Sequence, residues 1–146
     1  MSGKSLCVRL CVDGGARGNP GPAGAGVVVA AEDDGTVLYE AGLFLGKATN
    51  NVAEYSALIA GLEAAGRLKA DEVHVNSDSQ LMIRQMNGQY RVKSQTLKPL
   101  HAKADRLAGE FAECTFTHVP RDEVAHADRL VNLAIDQRKD VEDAAD

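Results

Sequence analysis

The chain has 146 residues, 45% hydrophobic and 25% charged, the profile of an ordinary globular domain. This excludes a disordered tail, a collagen-like repeat and a membrane span, and the length suffices for one domain with its own core. A formal net charge of −5 argues against a protein that grips nucleic acid by bulk charge, and with no Trp there is little to stack bases on.

Leu6 to Val12 alternates, with Leu6, Val8, Leu10 and Val12 on one face and Cys7, Arg9, Cys11 and Asp13 on the other. That predicts a strand ending at an acid. Cys7 and Cys11 would lie about 13 Å apart on it, too far to share a metal or a disulfide. Three cysteines cannot complete a disulfide framework, so they read as small buried thiols of a reducing compartment. Asp13 to Pro22 is dense in turn formers and predicts a loop. Gly26 to Ala31 suits a buried strand, Asp33-Asp34-Gly35 a hairpin turn, and Thr36 to Leu45 a third strand.

Asn50-Asn51 opens a helix whose buried face carries Tyr55, Leu58, Ile59 and Leu62, with Gly66 at its end. Glu72 to Asn76 is a short strand, and Ser77-Asp78-Ser79 caps a second helix carrying Leu81, Met82 and Met86. Gln89 to Gln95 reads as irregular. A third helix is predicted from Thr96 to Glu113, a strand from Cys114 to Val119, and a last helix from Val124 to Lys139. Asp140 to Asp146 is expected to fray. The order β-β-β-α-β-α-α-β-α predicts an α/β fold in one domain, 1–146: a five-stranded mixed sheet, three antiparallel strands then two parallel, with helices on both faces. Nothing approaches a membrane-spanning length of apolar residues, and Met1 to Ser5 lacks the apolar run of a signal peptide. A cytoplasmic monomer is expected.

Four acids stand out, each with an ordinary alternative. Asp13 could merely start a turn before Gly-Gly. Glu54 fits a capping box with Asn51. Asp78 fits an N-cap, and Asp128 a solvated helix face. Jointly these alternatives weaken. Asp13 and Asp78 would end adjacent strands, with the start of the Glu54 helix above them. Clustered carboxylates raise one another's pKa and call for a cation. Mg²⁺ or Mn²⁺ answers with oxygen ligands, and two such ions suit in-line attack on a phosphodiester.

The segments Asp13 to Gly21, Thr49 to Tyr55, Ser77 to Leu81, Gly88 to Lys93 and Ala127 to Asn132 occur in one order, each on a fitting element. Together they resemble type 1 ribonuclease H over nearly the whole chain, most closely its short archaeal and Gram-positive subgroup. The resemblance implies the RNase H-like fold and cleavage of the RNA strand of RNA–DNA hybrids by two Mg²⁺ or Mn²⁺ ions, leaving 5′-phosphate and 3′-hydroxyl ends. It implies Asp13, Glu54, Asp78 and Asp128 as catalytic and metal-binding acids, Asp13 bridging both ions. It places Gly14, Gly15, Asn19, Asn50, Asn51 and Gln80 at substrate-contacting positions. Lys47 and Thr49 match a pocket for a phosphate of the DNA strand. Amides that both donate and accept suit the 2′-hydroxyl that marks RNA.

The chain also departs from the family. Val124 stands where an Asn is frequent and His126 where a Glu is frequent. Val119 to Glu123 lacks the proton-ferrying histidine of some members, leaving Arg121 or His126 as candidates for proton transfer. The tryptophan-bearing basic protrusion is missing. Activity on double-stranded RNA stays open, and the alternative function is a catalytically weak or dead RNase H-like nucleic-acid-binding module. Between Met82 and Arg106 six basic residues face one acid, so the negative total mixes a basic middle, a metal site and an acidic tail.

Overall fold

A computed structural model describes residues 5–142. Its sheet has the order β5-β4-β1-β2-β3-β6. Strands β1 (Cys7–Ala16), β2 (Gly21–Ala31) and β3 (Val37–Ala48) form an antiparallel meander. Strands β4 (Glu72–Ser77) and β5 (Glu113–His118) add in parallel beside β1. The helices are α1 (Asn50–Arg67), α2 (Gln80–Met86), α3 (Leu97–Ala108) and α4 (Ala125–Gln137), the last entered through a 3-10 turn at Arg121–Val124. No helix among the described residues is long and apolar enough to cross a membrane.

The alternation seen in β1 sets the layering. Val8, Leu10 and Val12 are fully buried on the face covered by α1, where they meet Val73 and Val75 of β4 and Tyr55, Leu58 and Leu62 of α1. The opposite face receives α4, over β2 and β3, through a smaller cluster of Val28, Ala127 and Leu130. In the main core, the Tyr55 hydroxyl donates to Gln85 Oε1 at 2.6 Å, both residues being buried. Tyr55→Phe leaves that amide oxygen without its partner and is expected to cost about 1–2 kcal/mol, read from denaturant midpoints at constant m.

Five expectations need correction. The segment read as a loop, 13–22, is mostly strand: β1 runs on to Ala16 and β2 begins at Gly21, leaving only a four-residue turn. Its glycines read as turn formers in sequence, but Asp13 to Ala16 pair in register, Asp13↔Gly26 through Ala16↔Ala23. The sheet has six strands rather than five, because β6 (Val141–Glu142) pairs antiparallel with β3. Asp140, assigned to the fraying tail, instead accepts the Phe44 amide at 2.9 Å and pins that crossing; residues 143–146 lie outside the described residues. Helix α3 stops at Ala108, five residues early, with Gly109 as its C-cap. The three cysteines are unpaired, as expected, but half-buried rather than buried.

Candidate active site

Asp13 lies on β1 and Asp78 directly follows β4, adjacent parallel strands that deliver both acids to the same edge of the sheet. Glu54 comes from the second turn of α1 and Asp128 from the first turn of α4. All four line one pocket of about 330 Å³, together with Gly14, Gly15, Arg17, Asn50, Arg121 and Asn132.

Two of the ordinary alternatives fall on the geometry. The cap of α1 is Thr49, whose Oγ1 accepts from the Val52 amide at 3.2 Å, so Glu54 sits too deep in the helix for a capping box. The cap of α2 is Ser79, whose Oγ accepts from the Met82 amide at 3.3 Å, so Asp78 is free of capping. The Ser79 hydroxyl also donates to Glu54 Oε1 at 3.0 Å, tying the α1 acid to the start of α2. Sequence reasoning took Ser79 only as part of a cap; its second role depends on a contact 25 residues away.

Close approach of the helices brings the acids together, and missing side chains allow it. A Cβ at Gly14 would overlap the Ala53 carbonyl and the Glu54 amide, so α1 rests directly on β1 next to Asp13. A Cβ at Gly26 would overlap the Ala127 carbonyl, so α4 rests on β2 with Asp128 beside Asp13. At the third such position, Gly42 of β3 lies under the Leu130 carbonyl. Gly15 differs: its nearest neighbour would be Val131 Cγ1 at 4.0 Å, leaving backbone open to the pocket.

The electrostatics follow from the crowding. Burial, a hydrogen bond with Asp128, and the charges of Asp78, Asp128 and Glu54 all push the Asp13 carboxyl well above the usual carboxylate range. Burial pushes Glu54 up to about 7, with the Ser79 hydroxyl opposing and the Asp78 charge adding. The compensating cation nearest to hand is Arg121, whose Nε lies 3.9 Å from Asp78 Oδ2 on a largely exposed side chain. A ring of oxygen donors short of positive charge fits hard divalent ions. The ring is open: no three of these acids bring their oxygens within 4.8 Å of one another.

The other sequence-derived residues are placed as follows. Asn50 Oδ1 accepts from the Ala16 amide at 2.7 Å, and the Asn50 amide donates to Asn19 Oδ1 at 3.0 Å. Asn19 and Asn50 therefore lock the β1–β2 turn onto the start of α1. Asn51 is exposed and borders two neighbouring grooves, one with Asn19 and Thr49, the other with Tyr90, Arg91 and Lys93. Gln80 is exposed at the start of α2. Lys47 lies apart from Thr49's groove, lining another with Pro22, Phe44 and Arg138. Of the two proton-transfer candidates, Arg121 is at the acids. His126 lies outside their pocket, its Nε2 2.6 Å from Glu40 Oε2 on the open sheet face.

Sequence reasoning left three residues without a role. Arg17 reaches Asn132 Oδ1 at 3.2 Å and Asp136 at 2.7 Å, fastening the β1–β2 turn to α4. Asn132 also donates to the Asp128 carbonyl at 3.1 Å. Tyr90 is exposed beside the groove, with its hydroxyl 2.7 Å from Arg84 Nη1 and the guanidinium over its ring at 5.1 Å.

A family model described as reverse transcriptase-like matches residues 11–134, which include all four acids. The N-terminal RNase H domain of Rv2228c from Mycobacterium tuberculosis superposes with a TM-score of 0.88 at 48% identity, covering 91% of this chain and 96% of that one. This chain belongs to the type 1 ribonuclease H family. The family likeness extends to the RNase H1 of Halobacterium salinarum, TM-score 0.86 at 42% identity over 89% of this chain and 98% of that one. It extends also to LC11-RNase H1 solved in complex with an RNA/DNA hybrid, TM-score 0.84 at 46% identity over 90% and 98%. The full-length Rv2228c, described as a bifunctional protein, is 50% identical over 124 residues, 85% of this chain and 34% of its own length. The chain thus spans about a third of that ribonuclease H relative.

Proposed function

We propose that this chain is a divalent-metal-dependent endoribonuclease that cleaves the RNA strand of RNA–DNA hybrids, leaving 5′-phosphate and 3′-hydroxyl ends. The observation that carries the reading is the convergence of Asp13 of β1, Asp78 at the end of β4, Glu54 of α1 and Asp128 of α4 on one polar pocket. Membership in the ribonuclease H family and the hybrid held by LC11-RNase H1 support the substrate.

Asp13, Glu54, Asp78 and Asp128 would hold two Mg²⁺ or Mn²⁺ ions. When bound, such ions supply Lewis acidity that lowers the pKa of a water nucleophile and offsets charge on the leaving oxygen. The chain's own residues do the rest. Ser79 fixes the Glu54 carboxylate, and Asn132, through the Asp128 carbonyl, holds the turn that presents Asp128. The open backbone at Gly15 lets an RNA strand approach closely, while Asn19, Asn50, Asn51 and Gln80 offer donors and acceptors for 2′-hydroxyls. Arg121 is placed to neutralise a phosphate beside Asp78 and is our candidate for proton transfer. Lys47 and Thr49 are our candidates for a phosphate of the DNA strand, each from its own groove.

The test is incubation with labelled hybrid, double-stranded RNA, single-stranded RNA and DNA duplex in Mg²⁺ or Mn²⁺, with Asp78→Asn alongside. Cleavage of the hybrid's RNA strand that Asp78→Asn abolishes is expected. Cleavage that survives the substitution would sink the metal assignment, and hybrid binding without cleavage in any metal would establish a binding module. Affinity for hybrid is expected to fall only shallowly with added salt. Lys103 is already paired with Glu63, and the net charge of −5 leaves few phosphates to be neutralised. A titration across salt concentrations checks the slope, and a steep loss would contradict this.

A further inference from the structure

The sheet face that carries Asp13 also carries Cys7, at the other end of β1. Six residues at about 3.3 Å each put roughly 20 Å between them. Cys7 is flanked by Glu72, its partner in register on β4, and by Glu32 at the end of β2, whose amide donates to the Cys7 carbonyl at 2.9 Å. His74, two residues beyond Glu72, points to the same face. Ligand atoms of Cys7, Glu32 and His74 all lie within 4.8 Å of one another. Glu72 Oε1 lies 3.7 Å from Cys7 Sγ and 3.7 Å from His74 Nε2.

We propose that Cys7, Glu32, Glu72 and His74 form a binding site for one borderline-soft divalent cation of the Zn²⁺ class, separate from the catalytic acids. Three arguments carry it. The donor set is one thiolate, one imidazole and two carboxylates, which suits Zn²⁺ and is wrong for Mg²⁺. The spacing fits at Glu72, which lies 3.7 Å from both Cys7 Sγ and His74 Nε2. Tetrahedral Zn²⁺ with ordinary bond lengths separates S from O by about 3.6 Å and N from O by about 3.4 Å. Glu32 comes within 4.8 Å of Cys7 and His74 and would swing in to complete the set. The orientation is already set. His74 Nδ1 lies 2.7 Å from Thr115 Oγ1 on β5, the outer-shell bond that holds a ligating ring and turns Nε2 inward.

The local charge agrees. Glu72 faces Glu113 in register on β5, a like-charged pair that a cation would relieve. Arg9, paired with Glu32 at 3.3 Å, is the cation now present and would yield Glu32 to the metal. Such an ion would join β1, β2 and β4 on the part of the sheet that α4 leaves open, a structural clamp rather than a catalytic centre.

The experiment is equilibrium dialysis of the full chain against Zn²⁺ in excess Mg²⁺, with Co²⁺ as a spectroscopic stand-in. One tightly held Zn²⁺ is expected, retained in Asp78→Asn and weakened at least tenfold by Cys7→Ser and by His74→Gln. Co²⁺ should give a thiolate-to-metal charge-transfer band that Cys7→Ser removes and Cys11→Ser leaves. Zn²⁺ should also raise the melting temperature of the parent chain but not of Cys7→Ser. Hybrid cleavage in Mg²⁺ alone should be the same in Cys7→Ser as in the parent. Zn²⁺ binding equal in Cys7→Ser and the parent, or a Co²⁺ complex without the thiolate band, overturns the proposal.

Discussion

Asp13→Asn should abolish hybrid cleavage, by 10³-fold or more, while making the metal-free protein more stable at neutral pH. A loss of that size corresponds to at least about 4 kcal/mol of transition-state stabilisation by the usual conversion, as expected if Asp13 holds the metal. The gain in stability has the opposite origin. Asp13 is half-buried among Asp78, Asp128 and Glu54, and its charge opposes theirs. Deleting it should stabilise the apoprotein by roughly 1–2 kcal/mol, a fraction of the bare repulsion because the pocket opens to water.

The sign can be checked by pH. Glu54 titrates near 7 in the folded chain against an ordinary 4.5, and Asp13 is raised as well. The folded state therefore holds protons that the unfolded state has released. Stability of the metal-free chain should fall as pH rises from about 4 through about 8, and be fully present only below that window. Saturating Mg²⁺ should flatten the slope, and Asp13→Asn should reduce it. Melting curves in chelator between about pH 5 and pH 8 measure this directly; a metal-free chain that gains stability with rising pH would refute the clustered-carboxylate account.

The second large effect is expected at a residue with no functional group. Gly26→Ala places a methyl against the Ala127 carbonyl, backbone that cannot rotate away. Helix α4 must lift from the sheet, and Asp128, the next residue, moves with it. A loss of about 3 kcal/mol in stability is expected from the overpacking. Cleavage should fall about 10²-fold, because misplacement by about 1 Å is enough to do so. Gly66→Ala is the control: its Cβ meets nothing within 4 Å, so it should stabilise α1 by roughly 0.5–1 kcal/mol and leave cleavage unchanged. Equal effects at the two glycines would mean that close approach of α4 does not position Asp128.

The sequence was most legible where a local rule governs. Alternation in β1 reports burial on each face directly, so Val8, Leu10 and Val12 were assignable to the core without coordinates. The helical spacing of Tyr55, Leu58 and Leu62 did the same for α1. It failed where one residue type serves two purposes. The glycine-rich segment from Asp13 to Pro22 read as a loop, yet Asp13 to Ala16 lie in paired strand. Small size at glycines such as Gly14 serves close packing of helices, a requirement invisible until the helices are in place. Asp140 and Val141 looked like a fraying tail because an edge strand of two residues has no periodicity to detect.

The same division runs through the candidate site. The sequence by itself determined which acids were available, their order along the chain, and the family to which that order belongs. It could not separate Glu54 and Asp78 from helix caps, because Thr49 and Ser79 compete for those roles within a few residues. Only the tertiary structure decided that, by setting the φ and ψ at which each helix begins. It also removed His126 from the acids and brought Cys7 of β1, Glu32 just past β2, and Glu72 and His74 of β4 together. Contacts between strands are fixed by register and by the parallel crossover of β1 and β4, and residues 65 apart in sequence carry no local trace of their meeting. The net charge of −5 shows the same division: the sequence already separated a basic middle from the acids, and the fold placed those acids in one crowded pocket and Arg91 and Lys93 along a separate groove.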